Sequence, residues 1–186
     1  MTVIDKEGNI VSLIQSDYAA FGSGVVPKGT GFVLQNRGAQ FTLEKGQANT
    51  LAGHKRPLHT LIPAFMEKDD ARIGFGIMGG WNQAPVQAQF VSDIADYGAS
   101  IQQALEAGRF KKDTFDGCDV EIEERIPEQV RDGLSKLGHQ VKPLPVRTPY
   151  FGYGQAVMSD GTGVHFGASD PRHDGEAIPE PAPISK

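Results

Sequence analysis

Few residues in this chain could do chemistry, and their types and spacing remove several mechanisms. The single cysteine, Cys118, can form no intramolecular disulfide and cannot by itself build a metal site. A lone cysteine more often packs as a small apolar residue than attacks a substrate, so Cys118 is expected to be buried. His54, His139, His165 and His173 show no HExxH-type ligand spacing, and no metal or other cofactor is expected. Glycines crowd the passage FGSGVVPKGTG (Phe21–Gly31). It contains neither GKS/T nor GxGxxG, so it reads as a turn-rich crossover and not as a phosphate cradle. Two features remain. The run Gln35-Asn36-Arg37 is polar enough to line a cleft. The pair Gly79-Gly80 sits where a strand should turn into a helix, with glycine's freedom to aim backbone N–H donors.

The elements that must position these residues follow from pattern. Val3-Ile4 and Ile10–Ile14 flank the turn Asp5–Asn9 and predict a β-hairpin. Gly31–Leu34 reads as a short strand, and Thr60–Glu67 and Arg72–Met78 as two strands around Lys68-Asp69-Asp70. Val86, Phe90, Val91 and Ile94 then fall at helical spacing, with Gly98 as a C-cap. Ser100 opens a second helix with Gln103 as its capping-box partner. Val120–Ile122 predicts a strand, and Pro127–Leu137 a helix stopped by Gly138. Two last strands lie near Gln155–Met158 and Gly163–Phe166. With little βαβ alternation, this order predicts an α+β fold, helices layered on a mainly antiparallel sheet.

Composition bounds the function classes. A chain of 186 residues, 39% hydrophobic and 22% charged, is long enough for one core and too apolar for disorder. The net charge of −5, with no basic run longer than Lys55-Arg56 or Lys111-Lys112, argues against nucleic acid or an anionic membrane as partner. MTVIDKEGNIVSLIQ lacks the basic and apolar regions of a signal peptide, and no later stretch is long enough to span a bilayer. The compartment stays open, with cytoplasm favoured, because a signal on an upstream segment is compatible with this reading.

Several segments, in order, resemble the small subunit of the γ-glutamyltranspeptidase family: TVIDKEGN (Thr2–Asn9), FGSG (Phe21–Gly24), GFVLQNRG (Gly31–Gly38), KRPLHTLIP (Lys55–Pro63), MGG (Met78–Gly80), DYG (Asp96–Gly98), GRF (Gly108–Phe110) and GASDPR (Gly167–Arg172). The resemblance runs over about residues 2–175. It implies the C-terminal, small-subunit portion of an αββα N-terminal-nucleophile hydrolase sandwich. Residues 1–175 would form that domain, and 176–186 a proline-rich tail. Members of the family are precursors that cut themselves into a large and a small subunit. The new N-terminal threonine is the nucleophile, and its α-amino group is the base. That threonine lies upstream of the position matched by Thr2 by about four residues, roughly 13 Å of strand. Thr2 is therefore not expected to replace it, and the nucleophile is expected upstream of Met1.

The resemblance assigns roles position by position. Gly79 and Gly80 match the paired glycines whose N–H groups form an oxyanion hole; they equally suit a plain strand-to-helix turn. Ser16 matches a second threonine whose hydroxyl contacts the nucleophile, although a serine on a strand is otherwise unremarkable. Substrate-contacting positions depart from the family pattern. Tyr18 replaces an asparagine, Gln40 an acidic residue that pairs with the substrate amino group, and Arg37 a neutral polar residue beside Asn36. His59 and Thr60 replace paired serines. Losing a carboxylate and gaining Arg37, and with it His59, favours an anionic amide without an ammonium group over glutathione. Simpler alternatives are that Arg37 points to solvent, that Gln40 caps a loop, and that His59 is a hydrogen-bonded structural histidine. Trp81 would wall the acyl pocket or pack beneath it, and Arg172 would pair with Asp170 or Asp174.

The sequence thus predicts part of an amide hydrolase or acyl transferase acting through an acyl-threonine on a small amide, with the large subunit of the same precursor as partner. The altered positions bring it nearest the transpeptidase-like amidohydrolases, oxamate amidohydrolase among them. The alternative is a non-catalytic structural partner or an incomplete gene product.

Overall fold

In the computed structural model, residues 1–112, 114, 116–146 and 148–180 are described. They form two compact units, one of Met1–Leu13 with Ile62–Lys186 and the other of Ile14–Leu61. The final six residues of the expected tail, 181–186, lie outside the described residues.

The first unit is built on a four-stranded antiparallel sheet. Strands β3 (Ala64–Lys68), β4 (Ala71–Met78), β8 (Tyr153–Ser159) and β9 (His165–Ser169) lie in the order β3-β4-β8-β9. The turn between β3 and β4 is where the Lys68-Asp69-Asp70 chemistry predicts it, with Asp69 at φ 54°. On β4, alternate residues Ile73, Phe75 and Ile77 face helices α1 (Gln83–Ala95) and α2 (Ile101–Glu106), meeting Val86, Phe90, Ile101, Ala104 and Leu105 in one core. The Phe75 and Phe90 rings lie 4.8 Å apart, centroid to centroid.

The opposite face of β4 is covered by the predicted hairpin, β1 (Thr2–Ile4) and β2 (Ile10–Ser12), paired in register Val3↔Val11. Gly74 is glycine because Ile10 sits where its Cβ would be, 2.3 Å from the Ile10 Cγ2. The Ser12 hydroxyl donates to the Phe75 carbonyl at 2.8 Å. Helices on one face and a second layer of strands on the other make the fold α+β, as the sequence predicts.

Helix α1 begins three residues before the apolar period. Its first residue, Gln83, is buried because its Oε1 accepts from the Ile62 N–H at 2.9 Å, and Gln87 Nε2 donates to the Ile62 carbonyl at 2.8 Å. Helix α2 carries the predicted capping box. Ser100 Oγ accepts from Gln103 N–H at 3.2 Å, and Gln103 Oε1 accepts from Ser100 N–H at 2.9 Å.

Three expectations are corrected. Gly31–Leu34 is not a strand. Gly29 and Gly31 sit at φ 83° and 73°, outside the extended region, and only isolated backbone bonds such as Leu34 N–H to Val25 O tie the passage. The second correction concerns a three-stranded sheet, β5 (Phe110–Lys111), β6 (Asp119–Glu123) and β7 (Gln140–Leu144): β6 and the connecting helix α3 (Glu128–Lys136) lie where the sequence predicts a strand and a helix, whereas β5, β7 and the parallel β6–β7 pairing are not predicted. Pro143 argues against a strand by pattern; it is tolerated because β7 is an edge. Cys118 is also corrected. It lies exposed in the bend before β6, where its carbonyl accepts from Gln140 N–H.

Candidate active site

The predicted site residues fall in two groups. Gly79 and Gly80 belong to the first unit. Ser16, Tyr18, Asn36, Arg37, Gln40, His59 and Thr60 all belong to the second.

Gly79 and Gly80 end β4 and open a 3-10 turn, Gly80–Asn82, that runs into α1. Their φ values are 153° and 59°, conformations that disfavour any residue with a Cβ. The turn is held from its carbonyl side, since Asn82 N–H donates to the Gly79 carbonyl at 3.0 Å. Neither the Gly79 nor the Gly80 N–H takes part in a turn or cap hydrogen bond among the described residues. Two successive donors are thereby left for another acceptor. Trp81, next in the chain, is 54% exposed.

Beneath the turn lies a residue that pattern reading missed. Gly152, at φ 77° and ψ 173°, packs so closely that a Cβ there would stand 2.0 Å from the Met78 carbonyl oxygen. Its own carbonyl accepts from Arg109 Nη1 at 3.0 Å, and the Tyr150 carbonyl accepts from Asn82 Nδ2 at 3.0 Å. The only signal available in sequence was a glycine just ahead of a strand.

Arg109 links this support to a buried ionic cluster. Its Nη2 meets Asp170 Oδ2 at 2.7 Å, while Arg172 reaches Asp170 at 3.1 Å and Glu123 at 2.7 Å. The expected Arg172–Asp170 pair is therefore present. The GRF and GASDPR segments, remote in sequence, meet here. Burial pushes the Glu123 carboxyl up, but hydrogen bonds and charge from Arg172, the Arg109 N–H and the Arg125 charge outweigh it, leaving Glu123 below its ordinary range. Burial pulls Arg109 down against the support of Asp170, with Arg172 adding repulsion. Removing one partner from such a cluster strands a buried charge.

In the second unit, Arg37 organises the predicted residues. It opens a 3-10 turn, Arg37–Gln40, and is only 2% exposed, which corrects the solvent-pointing alternative. Its Nη1 donates to Thr60 Oγ1 at 3.2 Å and its Nη2 to Ser16 Oγ at 3.1 Å. The Tyr18 ring covers the guanidinium, 5.2 Å from ring centroid to Cζ, and Tyr18 holds φ 76°. Ser16 lies beyond β2 rather than on a strand, and its Oγ also accepts from Tyr18 N–H at 2.9 Å. Asn36 is structural, its Oδ1 accepting from Ala19 N–H at 3.1 Å, and Gln35 Oε1 accepts from Arg37 N–H. Gln40 is half-buried, and its carbonyl accepts from Asn49 Nδ2 at 2.5 Å. His59 is exposed, with Nδ1 2.7 Å from the Pro57 carbonyl. Ser16, Tyr18, Arg37 and Thr60 are thus brought together, whereas Asn36, Gln40 and His59 make separate loop contacts.

Among the described residues no group of three or more His, Cys, Asp or Glu side chains could hold a metal, and no helix is long and apolar enough to cross a membrane.

Comparisons with known proteins agree with this architecture. A family profile described as Gamma-glutamyltranspeptidase matches residues 1–180. The chain is 37% identical over 182 residues to the glutathione hydrolase-like YwrD proenzyme of Bacillus subtilis, covering 95% of this chain and 34% of that protein. It is 36% identical over 181 residues to the oxamate amidohydrolase proenzyme of Klebsiella pneumoniae, again covering 95% and 34%. Among solved structures it is similar to the cephalosporin acylase of Bacillus halodurans, with a TM-score of 0.83 and 40% identity over 91% of this chain and 32% of that one. It is also similar to a chain of the γ-glutamyltranspeptidase of Pseudomonas nitroreducens complexed with L-DON, with a TM-score of 0.81 and 25% identity, covering 95% of this chain and 96% of that one. The chain spans about a third of the length of the curated relatives it matches. On sequence and fold together, the chain belongs to the γ-glutamyltranspeptidase family of N-terminal-nucleophile hydrolases.

Proposed function

We propose that the chain is the small-subunit part, residues 1–175, of an amide hydrolase or acyl transferase that works through an acyl-threonine. The observation that carries this reading is the Gly79–Gly80 turn, which leaves two adjacent N–H donors without partners among the described residues. Such donors suit the negative oxygen that develops when a hydroxyl attacks an amide carbon. In the proposed reaction a threonine Oγ, supplied upstream of Met1, adds to the amide carbon while its α-amino group takes the hydroxyl proton. Collapse of the oxyanion expels the amine, which leaves with that proton, and water or an acceptor amine then attacks the acyl ester. Ser16 would place its hydroxyl beside the nucleophile, and Tyr18, Asn36, Arg37, Gln40, His59 and Thr60 would line the acyl pocket. No cofactor is required by these steps.

The partner would be a large subunit cut from the same precursor. The relatives' greater length supports this, as do the apolar side chains that the second unit leaves open, with Phe21 81% and Leu43 83% exposed.

The test is an amidase screen comparing the complete precursor with the 186-residue chain, using γ-glutamyl anilides and small amides such as oxamate. Turnover by the processed precursor and none by the chain alone is expected. Activity in the isolated chain, or a precursor that neither cleaves itself nor hydrolyses any amide, would refute the reading.

A further inference from the structure

The donor turn joins a strand to a helix, and its direction is set by whatever holds those two elements. The Gly79 carbonyl accepts from Asn82 N–H, and the Gly80 carbonyl from Gln83 N–H. In a trans peptide the C=O and N–H point opposite ways. With the Gly79 carbonyl turned toward α1, the Gly80 N–H is turned away from it. The ends of the turn are Met78, the last residue of β4, and Gln83, the first of α1.

A clamp of two glutamines locks those ends together. Gln83 and Gln87, about one helical turn apart, are 3% and 5% exposed. Gln83 Oε1 accepts from the Ile62 N–H at 2.9 Å, and Gln87 Nε2 donates to the Ile62 carbonyl at 2.8 Å. Both backbone polar groups of one residue are held from one face of one helix. Ile62 is itself stiff, because Pro63 follows and restricts it to extended backbone. Pro63 leads directly into β3, which pairs with β4 in register Ala64↔Phe75. The circuit closes: Ile62, β3, β4, the donor turn, α1 and back to Ile62.

Stability alone does not account for the clamp. Gln87 Oε1 is buried with no hydrogen-bond partner among the described residues, a cost that an apolar side chain would not carry. Helix α1 already packs into the core through Val86 and Phe90. Apolar burial is non-directional, whereas two hydrogen bonds to one residue fix both the slide and the rotation of the helix.

We infer that Gln83 and Gln87 are positioning residues that hold the Gly79–Gly80 donors in the direction that meets the oxyanion. The catalytic part of this inference rests on the amide-hydrolase reading; control of the turn by the clamp does not.

The experiment compares the complete enzyme with its Gln83→Met, Gln87→Met, double and Val86→Ala variants, on the amide that wild type turns over fastest. Methionine keeps the volume and loses the clamp bond. Each clamp variant should lower kcat by about 10–100-fold with KM within about twofold, because donors displaced from the reacting oxygen fail only in the transition state. The double variant should match the worse single one, since either lost bond frees the helix. Gln87→Met removes an unpartnered acceptor along with a bond, so its Tm should stay within about 3 °C of wild type. Val86→Ala, a packing control on the same helix, should lower Tm by about 4 °C or more and leave kcat within about threefold. Unchanged kcat in both clamp variants, or kcat losses that merely follow Tm across all variants, would overturn the inference, as would loss of the folded state in Gln87→Met. If wild type hydrolyses no amide, the reaction class fails and NMR reads the turn alone. Within this chain only Gly80 is a glycine that follows a glycine, so labelling with carbonyl-13C, 15N-glycine isolates its amide signal, and Gly80→Ala identifies it by deletion. That signal should shift in Gln83→Met and Gln87→Met and stay in place in Val86→Ala. A signal that the clamp variants leave unmoved overturns the control of the turn.

Discussion

Replacing Gly152 by alanine tests whether the donor turn is held from below. The new Cβ would lie 2.0 Å from the Met78 carbonyl oxygen and 3.3 Å from Ile77 Cγ2. The backbone at φ 77° and ψ 173° lies in a region that only glycine occupies readily, a penalty of about 1–3 kcal/mol. Because the obstructing atom is backbone, the clash is relieved only by moving β4 or the 149–152 turn, which adds about 1–3 kcal/mol. A total near 4 kcal/mol lowers Tm by about 10 °C in a chain of this size. Gly80→Ala is the matched control. It also has positive φ, 59°, but its Cβ would have no atom within 4 Å. It should cost only about 1–2 kcal/mol and lower Tm by about 3–6 °C. Differential scanning calorimetry on both variants compares them directly. In the assembled enzyme, Gly152→Ala should also cut kcat by about 100-fold at temperatures where it remains folded, since the donors move with Met78. Similar Tm losses in the two variants would show that the turn yields freely and that Gly152 does not position it.

Three further outcomes are expected. Glu123→Gln should flatten the acid limb of stability. Its folded pKa lies below the ordinary value, so its stabilisation is present above about 4.3 and lost as pH falls through the folded value; thermal melts from pH 7 to 3 should show the difference narrowing toward low pH. Ser100→Ala removes the cap of α2 and should cost about 1 kcal/mol, about 2–4 °C in Tm. Gln40→Asp in the complete enzyme should raise kcat/KM on γ-glutamyl anilides, because a carboxylate offers the substrate ammonium the charge-assisted acceptor that an amide lacks; an unchanged value would remove Gln40 from the pocket.

What was legible in sequence was mostly local. The Asp5–Asn9 turn, the Ser100–Gln103 box and the apolar spacing of α1 each specify a conformation within a few residues, and each formed. Strands β5 and β7 were not legible, because two residues carry no period and Pro143 reads against a strand until the edge position is known. Arg37 was visible as a residue type, but its burial runs against the habit of charged side chains and follows from the placement of Tyr18 and Thr60. Gly152 was invisible, since its constraint is a backbone atom that lies 74 positions earlier.

The buried ionic cluster also bears on how the protein comes apart. Its bonds join residues far apart in sequence, Arg109 to Asp170 across 61 positions and Arg172 to Glu123 across 49. Long-range closures of this kind are made late in folding, after the local helices and hairpins have formed. Interactions absent from the transition state act on the unfolding rate alone. The cluster is therefore expected to act as a kinetic latch, setting how long the folded chain survives proteases and heat: removing Arg172 should speed unfolding and change the folding rate little in stopped-flow measurements.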